Sequence, residues 1–443
     1  MGAHAGSAPP PPRRIVVTDT QSGPASHPAT VAGSGLLDRR LFLTQSFALA
    51  GAGMASAQAA AETSPIAFPE WMTRPGAPLS GYGTPAQHES AVARSPMSSP
   101  LSTTIGASTT PLESLQGRMT PNGLHFERHH SGVPNIDPAQ HELKIHGAVR
   151  RPLKFSVDSL LRYPMTSKFY FLECSGNGFL NLLDNPLDAS CGTLNGLVSC
   201  SEWTGVRLSL LLEEAGIDAD ASWLIAEGAD AASLVRSIPL EKALDDVLIA
   251  LYQNGERIRP EQGYPMRLFV PGWEGNVSVK WLHRLKVASS PAQSRSETAT
   301  YTDLMPDGRA EQFTFTMGVK SVITHPSGTM NLAAPGIYEL AGIAWSGHGA
   351  IARVEVSADG GKSWAEAALD APVIDKCVCR FRIPWQWDGA PATLMSRATD
   401  SAGNVQPTRA EFQKRYSPGN MYHFNGILAW GVEASGRVSN VYV

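Results

Sequence analysis

Between about residues 140 and 290, short apolar runs alternate with polar turns, and few of them keep the 3.6-residue period of a helix. Leu143, Ile145 and Val149 alternate with polar neighbours as a half-buried strand would. Residues 155–161 predict a short helix capped at Ser156 and stopped by Pro164. The run Phe169-Tyr170-Phe171-Leu172-Glu173 predicts a strand that delivers Cys174 into the small turn Ser175-Gly176-Asn177-Gly178. Residues 208–215 form a Leu-rich amphipathic helix ended by Gly216. Strands follow at 223–227 and 247–252, with a helix at 240–244 between them and a hairpin signal at Asn254-Gly255. Residues 263–272 read as an apolar strand with one charge, Arg267, in its middle. The pattern continues through 277–281 with a second cation, Lys280.

Periodicity lapses over 291–312, which reads as a linker. From 313 the character changes. Strands at 319–323, 337–345, 351–357, 365–369, 377–383 and 393–398 recur at short, even spacing, parted by turns such as Asp359-Gly360-Gly361. That is the signature of an antiparallel β-sandwich. It holds no histidine–carboxylate cluster and no glycine-rich phosphate loop, so its expected work is structural or oligomerising. The aromatic tail, Tyr422-His423-Phe424-Asn425 then Trp430, is expected to pack back on the body.

At the other end, residues 1–37 are rich in Pro, Ala, Gly and Ser and read as disordered. Asp38-Arg39-Arg40-Leu41-Phe42-Leu43, a mildly apolar stretch and Ala57-Gln58-Ala59 together resemble a twin-arginine export signal with its cleavage site. The organisation expected is a leader and signal at 1–59, an extended arm at 60–111, a catalytic domain at 112–312 and the sandwich at 313–443, with order beginning at Leu124. The fold class expected is α+β followed by an all-β domain.

The 443 residues suffice for two or three domains with proper cores. Charged residues are 17%, and 41 Gly with 33 Pro favour strands and turns over helical bundles. A net charge of −4 gives no basis for nucleic acid or an anionic membrane as partner. No further apolar run is long enough to span a bilayer. None of the five cysteines sits in a covalent haem motif or a zinc-type pair. Cys377 and Cys379 are too close for an ordinary disulfide with each other and read as structural, or at most as a weak redox candidate.

Chemistry concentrates elsewhere. A thiol at a strand end with bare backbone beyond it can meet an electrophile, a second thiol or a metal. It needs positive company or a metal to stay ionised. Arg128, Arg267 and Lys280 supply cations within apolar strands. Each alone fits a structural ion pair; together they suggest an anionic cofactor, an anionic substrate, or both. His129 and His130 are neighbours on an extended chain and point to opposite sides, which makes them poor co-ligands. Hydrogen bonding to an anionic group, with Arg128 as the point of charge, suits them better. The twin-arginine route carries folded proteins, usually because a cofactor is inserted first.

Leu172-Glu173-Cys174-Ser175-Gly176-Asn177 resembles the cysteine motif of the sulfite oxidase family of molybdenum enzymes. Arg128-His129-His130 with Val133-Pro134 is similar to that family's Arg-Asn-His and Val-Pro segment, and residues 263–272 with Val279-Lys280-Trp281 resemble its second pterin-binding block. Ala344-Trp345-Ser346-Gly347, the 356–364 turn and Val405-Gln406-Pro407 look like its immunoglobulin-like dimerisation domain. The resemblance runs from about residue 112 to the C-terminus. It implies a molybdenum–pyranopterin centre with Cys174 as the one protein ligand. The pterin contacts implied are Phe126, Glu127, Arg128, His129, His130, Asp230, Gln262, Arg267, Ser278, Val279 and Lys280. Arg128 is the implied substrate-binding residue, and Tyr301 stands where the family places an active-site tyrosine.

Three departures matter. His129 replaces the usual Asn, Gln262 replaces a His, and Phe179 stands where vertebrate sulfite oxidases carry an arginine. One substrate cation is thereby missing. With the twin-arginine signal, Ser201-Glu202-Trp203-Thr204-Gly205-Val206 and Tyr422-His423-Phe424-Asn425, the chain looks closest to the molybdenum subunit of bacterial sulfur oxidation, the sulfane or sulfite dehydrogenases. That resemblance implies a periplasmic enzyme oxidising carrier-bound sulfane sulfur or sulfite. It also implies a homodimer, or a heterotetramer with a separate c-type cytochrome as electron acceptor, and no haem in this chain. A plain sulfite:cytochrome c oxidoreductase, a periplasmic reductase on the same cofactor fold (these normally lack the sandwich) and a cofactor-less scaffold protein are the rivals.

Overall fold

Strand Met165–Glu173 pairs antiparallel along its whole length with Val198–Arg207, from Met165 opposite Val206 to Glu173 opposite Val198. Leu248–Gln253 adds to the far side of Val198–Arg207, and carries Arg267–Phe269 and Glu256–Arg257 in turn. The last of these is the hairpin expected at Asn254-Gly255, whose φ values of 48 and 82 are the left-handed pair that a two-residue turn requires. A second sheet runs Val235–Pro239, Trp223–Gly228, Leu282–Ala288, Glu142–Gly147, Leu153–Ser156. The helices between them are few and short. Val157–Leu160 starts where the Ser156 side chain accepts from the Ser159 N–H, and Leu208–Ala215 ends at Gly216 with φ +69. The latter buries Leu208, Leu211, Leu212 and Ala215 on one face, against Leu143, Ile145 and Leu224. The structure, a computed structural model, describes residues 30–38, 80–99 and 102–443, with 69, 72, 74, 75 and 77. The twin-arginine stretch and its cleavage site lie outside the described residues.

Two expectations are corrected. Order does not begin at Leu124: Ser95–Ser99 and Ser102–Thr109 form a hairpin, and Glu127–His129 pairs onto it with Arg128 opposite Ala107. This hairpin has almost no apolar periodicity. Its buried hydroxyls are satisfied by other segments: Ser108 Oγ donates to Glu127 Oε1 at 2.9 Å, and just past the hairpin Thr110 Oγ1 lies 2.9 Å from the Leu124 carbonyl and 2.7 Å from Ser199 Oγ. Nor are residues 30–38 unstructured. Thr30–Ala32 and Leu36–Leu37 form a small hairpin at a sandwich edge, with Leu36 opposite Trp385, both leucines fully buried, and the Trp385 indole donating to the Ser34 carbonyl.

The second half is a two-sheet sandwich. Lys320–His325, Gly336–Trp345 and Cys379–Trp387 form one sheet, to which the 30–37 hairpin adds; Ile351–Ser357, Ala392–Asp400, Ala429–Val432 and Val438–Val441 form the backbone of the other. Ile343, Phe381 and Ile383 interdigitate with Val354, Val356, Leu394 and Trp430. The same apolar core continues into the first half through Phe171, Leu194 and Val198. A helix at Arg409–Arg415 went unread, although Thr408 and Glu411 are the reciprocal capping pair that announces it. The expected linker, 291–312, contains a helical turn at Ser296–Thr300 with Glu297 buried, and two short paired strands. Cys200 and Cys377 bring their sulfurs to 3.4 Å across the two halves as free thiols. Among the described residues no helix is long and apolar enough to cross a membrane.

Candidate active site

Cys174 leaves the end of strand Met165–Glu173 with both backbone groups held. Its N–H donates to the Leu197 carbonyl at 2.9 Å, and its own carbonyl accepts from Asn177 at 2.8 Å. The Asn177 side chain ties the turn at both ends, donating to Glu173 Oε1 at 2.9 Å and accepting from Leu197 N–H at 3.0 Å. Gly178 closes the turn at φ +89, where a Cβ would come within 2.9 Å of Phe424 Cδ1 and 3.0 Å of Lys320 Nζ. Gly178→Ala is therefore expected to destabilise the protein by about 1–3 kcal/mol, read as a lower urea midpoint at unchanged slope.

Beyond Cys174 opens a cleft of about 650 Å³, counted to include its mouth open to solvent. Phe126, Glu127, Arg128, His129, His130, Asp230, Gln262, Arg267, Ser278, Lys280 and Tyr301 all line it with Cys174. Val279, singled out beside them, does not: its side chain is buried in the neighbouring apolar core, as alternation along an extended segment dictates.

The cations of this cleft lack acids. Among the described residues, Arg128, Arg267 and Lys280 form no ion pair with a carboxylate. Arg267 donates only to carbonyls, Gln262 O at 3.1 Å and Ser278 O at 2.7 Å, and its Nε is buried without a partner. Burial pushes its guanidinium down to about 9. Lys280 Nζ meets the carbonyls of Arg128 and Glu261 at 3.0 Å and His129 Nδ1 at 2.8 Å, over the Trp281 ring. Burial, reinforced by Arg267, holds its ammonium well below the usual lysine range. Arg128 donates to the carbonyls of Gly106 and His129.

The acids nearby are engaged elsewhere. Glu127 accepts from His129 Nε2 at 2.7 Å and lies 3.3 Å from Arg94; these partners and Ser108 hold its carboxyl down to about 2. Asp230 accepts from Ser131 Oγ at 3.0 Å, while its Oδ1 is buried and unpartnered. The two histidines diverge as expected. His129 faces Glu127 and Lys280, whereas His130 Nε2 lies 2.9 Å from the Tyr301 hydroxyl. Burial, then Arg128, pushes His130 down to about 4, so it is neutral at pH 7 and accepts from the tyrosine. At Cys174 burial raises the thiol, and the Gly176 N–H and Arg128 only partly offset it. A bare thiol here stays protonated; a metal makes it a thiolate.

Next to Phe126 lies His125, fully buried, its Nε2 without a partner and its pKa pushed down to about 3 by burial. The folded state keeps it neutral while the unfolded chain protonates it near pH 6.5. Its contribution is complete above pH 6.5 and is lost as pH falls from there towards 3, at up to about 1.4 kcal/mol per pH unit. Urea melts at pH 7 and pH 5 are expected to show that slope, and His125→Phe to flatten it.

Sequence reasoning missed Asn276, Leu234 and Gly275 in the lining and the props behind it, Arg94, Ser131 and Arg236, and it quoted Trp281 only as part of a motif. Asn276 Nδ2 reaches Ser175 Oγ at 3.2 Å and Glu274 Oε2 at 2.7 Å, and its Oδ1 accepts from Arg236. Its place two residues before Ser278 was the available signal. The lining as a whole fits a large polar anion. Unpaired cations, an orphaned Arg267 Nε and an orphaned Asp230 oxygen surround a deep space with a soft ligand, Cys174, at its edge. Among the described residues no cluster of three His, Cys, Asp or Glu groups stands ready to hold a metal ion by itself.

Residues 130–296 match the family described as oxidoreductase molybdopterin binding domain, and residues 311–428 match the Mo-co oxidoreductase dimerisation domain. Mitochondrial sulfite oxidase of Mus musculus is 31% identical over 322 residues, 66% of this chain and 58% of its own length. Sulfite oxidase of Gallus gallus is 32% identical over 326 residues, 67% of this chain and 70% of its own. Nitrate reductase [NADH] of Ulva prolifera is 32% identical over 66% of this chain, which spans only 38% of that protein. Among solved structures, the sulfane dehydrogenase SoxCD from Paracoccus pantotrophus superposes with a TM-score of 0.82 at 43% identity, covering 85% of this chain and 97% of that one.

Proposed function

The chain belongs to the sulfite oxidase family of molybdopterin oxidoreductases, and on that premise we propose that it oxidises reduced sulfur, either sulfane sulfur on a carrier protein or free sulfite. The observation that carries this reading is the set of acid-free cations, Arg128, Arg267 and Lys280, around the one exposed edge of Cys174.

Cys174 would be the protein ligand of the molybdenum. Arg267, Lys280, Gln262, Ser278, Asp230 and residues 126–130 would hold the pyranopterin and its phosphate. The bound centre supplies two-electron oxygen-atom chemistry, with water as the oxygen source. Everything else falls to the chain. Arg128 draws an oxyanion to the cleft and offsets its charge as the reaction proceeds. Tyr301, kept protonated by burial and hydrogen-bonded to neutral His130, orients that anion without adding charge. Apolar walls at Phe126, Leu172 and Trp281 limit water.

Electrons would leave to a c-type cytochrome, since no haem motif lies in this sequence. The second, β-rich domain would serve pairing, in the manner of the immunoglobulin-like dimerisation domains it resembles, and the location would be periplasmic by the twin-arginine route. Phe179, which stands where vertebrate sulfite oxidases carry an arginine, brings no substrate cation, and with the likeness to a sulfane dehydrogenase this supports the carrier-bound substrate over free sulfite.

The test is molybdenum and pterin content of protein exported in a twin-arginine-competent host, followed by sulfite against a sulfane-loaded carrier. Near-stoichiometric metal with faster oxidation of the carrier is expected. Faster sulfite oxidation would make it a plain sulfite:cytochrome c oxidoreductase. Folded, metal-free protein under verified cofactor supply would leave a scaffold.

A further inference from the structure

Glu173, the residue before Cys174, is buried to 1% exposure and uses both its oxygens. Oε1 takes the Asn177 amide at 2.9 Å and lies 3.7 Å from Lys320 Nζ; Oε2 takes the Trp345 indole N–H at 2.6 Å. Lys320 and Trp345 come from the sandwich. They face each other as a register pair on Lys320–His325 and Gly336–Trp345, so one rung of that sheet supplies both donors. Lys320 is itself 1% exposed, sits between the Trp345 and Phe424 rings, and gives a further hydrogen bond of 3.4 Å to the Asn177 carbonyl. Its ammonium also lies where a Gly178 side chain would have to go. The tail adds a last tie, His423 N–H to the Ser175 carbonyl at 2.8 Å.

A buried ion pair is a poor way to gain stability, since apolar replacements of equal volume are often neutral or better. It is a good way to fix one geometry. Here that geometry is the turn from Glu173 to Gly178. We infer that Lys320 and Trp345 are positioning residues, through which the β-sandwich sets the place of the Cys174 sulfur by gripping Glu173. The inference rests on Cys174 being the metal's ligand, and it gives the second domain a part in the active site besides association.

The test uses the full chain, with and without cofactor. Lys320→Met is expected to speed molybdenum loss on dialysis about tenfold or more, as partners behind a metal ligand do. In cofactor-free protein, the same variant is expected to raise amide hydrogen exchange at Cys174 and Asn177 by a similar factor. The double variant Lys320→Met/Glu173→Met is expected to recover the thermal midpoint but neither metal retention nor amide protection. If retention and protection return together with the midpoint, or if Lys320→Met leaves both unchanged, the grip is only structural and the inference falls. A wild-type protein without molybdenum would instead overturn the functional reading, while the exchange measurement would still decide whether the sandwich holds the turn.

Discussion

Cys174→Ser is expected to abolish sulfur oxidation, with turnover down by at least about 1,000-fold, because a hydroxyl cannot replace a soft thiolate on this metal. The reason for so large an effect lies in how little else the turn offers. Both backbone groups of residue 174 are spent on Leu197 and Asn177, and Ser175 faces Asn276. Among the described residues, no second thiol lines the cleft, and its other ligand-type side chains have partners of their own: His129 and His130 with Glu127, Lys280 and Tyr301, and Asp230 with Ser131. The pterin contacts proposed above do not include residue 174, so pterin should remain measurable in the variant while steady-state oxidation with a cytochrome acceptor vanishes. Retained sulfite- or sulfane-dependent electron transfer would remove Cys174 from the mechanism.

Arg128→Gln is the second large effect. Among the described residues, Arg128 hydrogen-bonds only to two carbonyls, Gly106 O and His129 O, and forms no ion pair with an acid. Its charge is therefore free for a ligand, and removing such a preorganised donor typically costs about 100- to 1,000-fold in catalytic efficiency. The fall in kcat/KM should be carried substantially by KM for an anionic substrate, with the salt dependence of kcat/KM weakened. Molybdenum and pterin content should stay near wild type. A collapse of cofactor content with unchanged KM would mean that Arg128 holds the cofactor and not the substrate.

Much of this was legible in sequence where the signal is local. The helix at Leu208–Ala215 shows its apolar face at i, i+3, i+4 and i+7, and Gly216 stops it. The strand into Cys174 and the Asn254-Gly255 turn are equally local. Arg267 and Lys280 stood out because charges in apolar strands are costly unless used. What stayed hidden depends on contacts distant along the chain. The Ser95–Thr109 hairpin and the adjoining Thr110 are polar because their buried hydroxyls bond to Glu127 and Ser199, distant along the chain, which no periodicity reports. Leu36 and Leu37 look like two isolated leucines until Trp385 is placed opposite. Arg94 beside Glu127, Ser131 beside Asp230 and Lys320 beside Glu173 are pairs that only the fold assembles. Tyr301 lay in a stretch with no pattern, and its neighbours Glu297 and Asp303 turn out to be buried, which makes the supposed linker a wall of the site.

The acid-free cations have a thermodynamic consequence beyond catalysis. A chain that collects Arg128, Arg267 and Lys280 around one space, with Glu127 and Asp230 nearby but none of the three cations in a salt bridge among the described residues, folds against part of its own repulsion. Whatever anion enters that space relieves it, so binding energy and folding energy become one quantity. The empty chain should then be the softer species, sensitive to the inorganic anions of its buffer, and the loaded chain the firmer one. On the twin-arginine route proposed above, loading before export would be quality control as much as delivery, since a route that accepts only folded cargo would favour the molecules that carry their anion.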